Sequence, residues 1–120
     1  MAEQPGIKIY FNPECSKCVS ALDILHQHGA EPEIVEYLST VPSKGELKEL
    51  LAMLRMKPFE LIRTNENLFQ QKFEGKNYSD DEWLDIMLEH PELIQRPIVI
   101  SGGKAVIGRP PEKVLDLLKL

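Results

Sequence analysis

Cys15 and Cys18 are the only two cysteines in the 120 residues, and two residues separate them. The stretch before Cys15 alternates as Ile7, Ile9, Phe11 and breaks at Asn12-Pro13; from Cys18 the apolar spacing turns helical, through Ala21, Leu22 and Leu25. A thiol placed between a strand and a helix start meets main-chain N–H groups that lack helical partners and the positive end of the helix dipole. Both favour a thiolate, so Cys15 is expected to be partly ionised near neutral pH, on an exposed turn, with Lys17 adding to the field. Cys18 lies one turn further along the same face, within reach of a Cys15–Cys18 disulfide. The pair thus predicts a nucleophilic thiolate with a second thiol that resolves it. Cys18 also sits on the inward stripe, where a free cysteine often serves as a small apolar residue, and both readings stay open for it. A metal site is not expected. There is no second Cys-x-x-C motif, and His26 and His28 point about 200° apart around a helix.

The second chemical feature is sparse arginine. Only four occur, at positions 55, 63, 96 and 109, in a chain of net charge −5. That charge disfavours nucleic acid and anionic membranes as partners, and an anionic substrate would have to be gathered by a local cluster of cations. Arg96 precedes Pro97 and Arg109 precedes Pro110, one at each end of a segment that reads as a hairpin, Ile98–Ile100 and Ala105–Ile107 around Gly102-Gly103. Antiparallel pairing brings such ends together. Two adjacent guanidinium groups repel one another unless an anion lies between them, and their fork geometry suits an oxyanion. Arg63, after the apolar pair Leu61-Ile62, is the third candidate. The isomer of the Arg96-Pro97 bond is not readable from sequence.

These groups must be carried by a small set of elements. The pattern predicts a strand over 7–11, a helix ended by Gly29, and a second strand over 34–37. Capping boxes at Ser43/Glu46 and Ser79/Glu82 start two helices whose apolar stripes run through Leu47, Leu50, Leu51 and Leu54, and through Leu84, Met87 and Leu88. A short helix carrying Leu61 and Ile62 is expected from Pro58 and a short turn over 91–95, with an exposed loop at 75–77. The hairpin follows, and then a helix opened by Pro110-Pro111, with Val114, Leu115 and Leu118 facing inward. This order describes an α/β chain: a thioredoxin-like fold with a mixed four-stranded sheet and a helical insertion, about 42–95, between strands 2 and 3. A single domain over 1–120 is expected. No run of apolar residues is long enough to span a bilayer, and the polar first residues do not read as a signal peptide, so a cytoplasmic, thiol-reducing location is expected.

Four segments, Ile9 to Lys17, Leu61-Ile62-Arg63, Gln95 to Val99 and Gly108-Arg109-Pro110, resemble in residues and order the motifs of the glutaredoxin-coupled arsenate reductases. The resemblance runs from Ile7 to Leu118. It implies that Cys15 is the nucleophile and that Arg63, Arg96 and Arg109 hold arsenate. It further implies that glutathione is the reducing co-substrate, that glutaredoxin or thioredoxin is the protein partner, and that no cofactor is bound; a monomer is expected. Three positions depart from the pattern: Phe11 stands where a histidine is common, Cys18 where a serine is, and Val19 where an arginine is. Cys18 could therefore take the resolving role. Two alternatives come from other classes. One is a general thiol–disulfide oxidoreductase using Cys15–Cys18; the other is a redox-sensing regulator that binds RNA polymerase. Arg109-Pro110 argues against the regulator. The unrelated arsenate reductases that place an arginine six residues after the cysteine are excluded, because Ala21 occupies that position.

Overall fold

Strand β1 (Ile7–Tyr10) sits inside a four-stranded sheet of order β2-β1-β3-β4 in the computed structural model, which describes residues 6–118. Helix α1 (Ser16–Gln27) carries the chain over to β2 (Glu33–Val35), which runs parallel to β1 with Ile9 opposite Ile34 and Tyr10 opposite Val35. A parallel neighbour requires such a crossover. On the other side, β3 (Ile98–Ser101) runs antiparallel to β1, Tyr10 facing Ile98, and β4 (Lys104–Ile107) runs antiparallel to β3, Ile98 facing Ile107. Gly102 and Gly103 have φ of 56° and 81°, the pair of positive angles that a two-residue turn between twisted strands demands. The mixed, thioredoxin-like sheet is thus the expected one.

By its contacts the chain divides into two compact units. One combines residues up to Thr40 with those from Arg96 onward; the other is Val41–Gln95. In the first, Ile9, Ala21, Leu25, Ala30, Val99 and Val114 form a buried cluster, with Phe11, Leu22, Ile24 and Val106 packed at its edge. Each large aliphatic side chain buried this way contributes about 1.5–3 kcal/mol. Gly29, at φ 80°, ends α1 as expected, its N–H and that of Ala30 bonding back to His26 and Leu25 carbonyls. The last segment is less regular than expected. A short 3-10 turn over Pro111–Val114 leads into α5 (Leu115–Leu118), a single helical turn.

One correction concerns the second strand. Pairing stops at Val35, and the Ser39 and Thr40 N–H groups fold back onto the Glu36 carbonyl, at 3.0 and 2.9 Å. Tyr37 therefore lies in a turn, off the sheet. β-branched Ile34 and Val35 suggested a longer strand, but the chain reverses as soon as it clears its neighbour.

Gly108 shows how tightly the first unit closes. A Cβ there would lie 2.9 Å from Pro97 Cγ and 3.3 Å from Val114 Cγ1. Gly108→Ala should therefore destabilise the protein by about 1–3 kcal/mol through overpacking. A urea titration would show a lowered midpoint at unchanged slope; an unchanged midpoint would mean that Pro97 and Val114 give way freely.

In the second unit both capping boxes form. The Ser43 hydroxyl accepts the Glu46 N–H and starts α2 (Lys44–Leu54), α3 (Asn67–Lys72) follows, and the Ser79 hydroxyl accepts the Glu82 N–H and starts α4 (Asp80–Glu89). Helix α3 is an addition to the expected set. Its Phe69 stacks on Trp83 at a centroid distance of 6.1 Å, so an aromatic contact stabilises a segment too short to form by propensity. Ile62 and Ile94 pair as an isolated antiparallel bridge.

Candidate active site

The register of the first unit decides what meets at one end of its sheet. Tyr10 has Val35 on one side and Ile98 on the other, and Ile98 has Ile107 beyond it. The chain leaving β1, the chain leaving β2, the chain entering β3 and the chain leaving β4 therefore lie at the same end. Those four stretches carry Cys15, Tyr37, Arg96 and Arg109.

Asn12 shapes the first of them. Its carbonyl accepts the Cys15 N–H at 3.0 Å and its Oδ1 accepts the Glu14 N–H at 3.0 Å, an Asx turn that folds Pro13 and Glu14 into a tight loop. Cys15 emerges as the N-cap of α1, with extended backbone (φ −96°, ψ 114°), and its carbonyl receives the Val19 N–H at 3.1 Å. The helix start is where the residue pattern put it. The exposure is not: Cys15 retains only 7% of its surface and Cys18 none. Both sulfurs are thiols with no disulfide between them.

Burial by itself pushes the Cys15 thiol up. The Cys18 N–H, the Cys18 thiol and the Arg96 guanidinium all donate towards its sulfur and, with the Arg96 charge, more than offset that, so the net shift is downward. The cation that acts on Cys15 is thus Arg96, and Lys17 is an exposed side chain of α1. Cys18 behaves in the opposite way. Its burial and the neighbouring Cys15 anion raise it to about 12, although the Asn12 backbone donates to it. The two sulfurs are thus driven apart, Cys15 shifted towards ionisation and Cys18 away from it.

Arg96 and Arg109 are brought together as the hairpin argument requires. Arg109 Nε donates to the Arg96 carbonyl at 2.7 Å, which orients the Arg109 side chain. The Arg96-Pro97 and Arg109-Pro110 bonds are both cis. Arg63 belongs to the other unit, where its Nη1 pairs with Glu66 Oε1 at 2.6 Å and its backbone N–H donates to the Leu93 carbonyl.

One functional candidate escaped the reading of motifs. Tyr37 is 1% exposed, and among the described residues its Oη has no hydrogen-bond partner; the same holds for Arg96 Nε. Burial pushes the Tyr37 phenol up to about 12, against a lowering by the Arg96 charge and by the approach of the guanidinium to the phenol oxygen, a contact that falls short of hydrogen-bond geometry. Buried polar atoms are rarely left unsatisfied. Here two of them lie in the neighbourhood of the Cys15 sulfur, donors with no acceptor among the described residues. A tyrosine just past the end of the strand that pairs with the cysteine-bearing strand was the available signal, and its assignment to that strand concealed it.

Comparison with known proteins points the same way. The model of the ArsC family matches residues 10–117. The arsenate reductase of Neisseria meningitidis is 38% identical over 116 residues, covering 95% of this chain and 99% of its own. The Escherichia coli protein YfgD, whose name records no activity, is 41% identical over 114 residues, covering 93% and 96%. Among solved structures, the arsenate reductase from Vibrio cholerae superposes with a TM-score of 0.91 at 40% identity, covering 96% of this chain and 99% of that one.

Proposed function

Because the chain belongs to the ArsC family, matched over residues 10–117, we propose that it is an arsenate reductase in which Cys15 attacks arsenic. The observation that carries this reading is a buried Cys15 sulfur shifted towards ionisation by the Cys18 N–H, the Cys18 thiol and Arg96, whose own Nε is left without an acceptor. Arsenate docks against Arg96 and Arg109, whose charge stabilises the oxyanion and the charge that develops as an oxygen leaves. The Cys15 thiolate forms a sulfur–arsenic bond, and one arsenate oxygen departs as water after protonation. The adduct still holds As(V). A second thiolate then attacks Cys15 Sγ, the sulfur–arsenic electron pair passes to arsenic, and arsenite leaves as a disulfide forms. Two thiols are oxidised by two electrons and arsenic gains two, so the step balances.

Glutathione is the second thiol that the family resemblance implies, with glutaredoxin restoring Cys15. Cys18 is the internal candidate. As long as Cys15 is anionic, Cys18 is held protonated; arsenylation removes that anion and with it one cause of the raised pKa, though burial remains. The chemistry of Cys15 itself would thus ease Cys18 towards ionisation, and the approach of the adduct must overcome the rest of its burial. Cys18→Ser should lower turnover by about tenfold or more if the internal thiol resolves the adduct, and quantifying the Cys15–Cys18 disulfide by mass spectrometry after one turnover checks it. Unchanged turnover with glutathione and glutaredoxin, and no internal disulfide, would leave glutathione as the resolving thiol.

Arg63 is included on its motif alone, as a third cation for the oxyanion, with Glu66 as its present partner. Arg63→Ala should raise KM for arsenate by about tenfold. An unaltered KM would remove it from the set.

The direct test of the activity is arsenate-dependent NADPH consumption in a system containing glutathione, glutaredoxin and glutathione reductase. Turnover that follows arsenate supports the assignment. Reduction of protein disulfides at rates indifferent to the arginines, with none on arsenate, would instead establish a general dithiol oxidoreductase.

A further inference from the structure

We propose that the Tyr37 hydroxyl is a substrate-binding donor, which together with Arg96 Nε grips oxygen atoms of the tetrahedral oxyanion presented to Cys15. The proposal rests on the oxyanion reading above and adds to it a residue outside the cysteine and arginine motifs.

Four observations carry it. Tyr37 follows directly from β2, which ends beside Tyr10 of β1, so the turn that holds it opens at the sheet end where the Cys15 loop begins. Its ring is almost wholly buried, at 1% exposure, and yet its hydroxyl has no partner among the described residues. Arg96, the side chain that reaches Cys15, also approaches the Tyr37 hydroxyl, short of hydrogen-bond geometry, and acts on it by charge, as do Cys15 and Cys18. Finally, Arg96 Nε is the other orphaned atom, and Arg109 spends its own Nε on the Arg96 carbonyl. The two unspent donors therefore share one neighbourhood, and that neighbourhood contains the nucleophile.

A phenylalanine at this position would keep the packing and remove the unsatisfied group, which favours folding. A hydroxyl is worth its cost there if a ligand oxygen completes it. Tetrahedral oxyanions offer four acceptor oxygens with several lone pairs, and a neutral donor adds directionality without adding charge. With its pKa pushed up to about 12 by burial, the phenol keeps its proton at neutral pH, so it acts as donor rather than as base.

The test uses Tyr37→Phe in the full chain with three readouts. Arsenate affinity is measured by calorimetry in a Cys15→Ser background, with and without Tyr37→Phe, so that chemistry does not intervene. Turnover is measured in the coupled assay with Cys15 present. The unfolding midpoint and the pH profile of Cys15 alkylation by iodoacetamide report on structure and on the thiol. The expected result is an affinity and a kcat/KM each lower by about five- to tenfold, as for one lost hydrogen bond, with the alkylation profile unmoved and the midpoint equal or higher. Affinity and turnover equal to the parent would overturn the proposal and leave the reductase reading standing. A lowered midpoint with a displaced thiol profile would also overturn it, by showing a structural role. If the parent binds arsenate without reducing it, the reductase reading fails while the affinity comparison still decides for or against Tyr37. If the parent neither binds nor reduces arsenate, both fall together.

Discussion

Cys15→Ser should reduce arsenate-dependent turnover by at least about a thousandfold, to the level of the assay without enzyme. A serine hydroxyl at this position has the hydrogen-bond donors but not the ionisation. The Cys18 N–H and Arg96, which lower a thiol, leave an alcohol protonated at neutral pH. The substitution should not be explained away by unfolding. Cys15 occupies the N-cap of α1 without making a side-chain cap hydrogen bond, and serine is among the preferred residues for that position. Its unfolding midpoint should therefore be held or slightly raised while activity vanishes. A second signature lies in the surviving thiol. The Cys15 anion raises Cys18, so its removal should bring Cys18 alkylation to lower pH, although burial, the larger cause, keeps Cys18 a poor nucleophile. Retained turnover in Cys15→Ser would place the chemistry elsewhere in the molecule.

Much of the framework behind this was legible in short-range patterns. The Gly102-Gly103 turn, the two capping boxes and the Gly29 helix stop are local devices, and each is where its residues put it. They work because a turn needing two positive φ angles, or a helix start needing a hydroxyl and a carboxylate three residues apart, is satisfied by very few sequences. The proximity of Arg96 and Arg109 followed from the same logic, since a hairpin fixes the distance between its ends. What local pattern could not show was burial and partnership. Cys15 was expected at an exposed turn, yet the surrounding chain covers all but 7% of it. Lys17 was the obvious nearby cation by sequence, but the cation that acts on the sulfur is eighty-odd residues away, at Arg96. Tyr37 was hidden for a related reason. Ile34 and Val35 suggested a longer strand, and only the reversal at Glu36 takes its ring off the sheet. Such facts depend on which segments are brought side by side, and no window of neighbouring residues contains them. Arg63 marks the opposite case, a motif residue whose observed partner, Glu66, is local.

Arg96 offers the second large effect, because one side chain acts on both thiols and on Tyr37. Arg96→Ala removes a charge and a donor from the Cys15 sulfur while leaving burial, which raises the thiol, in place. The sign is therefore fixed: the Cys15 pKa rises, the thiolate fraction at neutral pH falls, and iodoacetamide alkylation shifts to higher pH. Each unit of that rise costs a factor of about ten in thiolate. The same substitution deletes a cation from the oxyanion, where one such donor is worth about a hundredfold. The two losses act on different steps, so kcat/KM for arsenate should fall by about a thousandfold, more than the alkylation rate does at the same pH. The backbone carbonyl that holds Arg109 survives in the variant, so Arg109 is not displaced by loss of its partner. Arg96→Lys separates the contributions. A lysine restores positive charge and should return the alkylation profile most of the way to the parent, but it lacks the planar fork, so turnover should stay about tenfold or more below. If alanine and lysine variants lose thiol reactivity and turnover in the same proportion, Arg96 serves the sulfur alone and the oxyanion is held by other groups. If neither variant shifts the alkylation profile, the ionisation of Cys15 owes nothing to Arg96 and must come from the start of α1, through the Cys18 N–H and thiol.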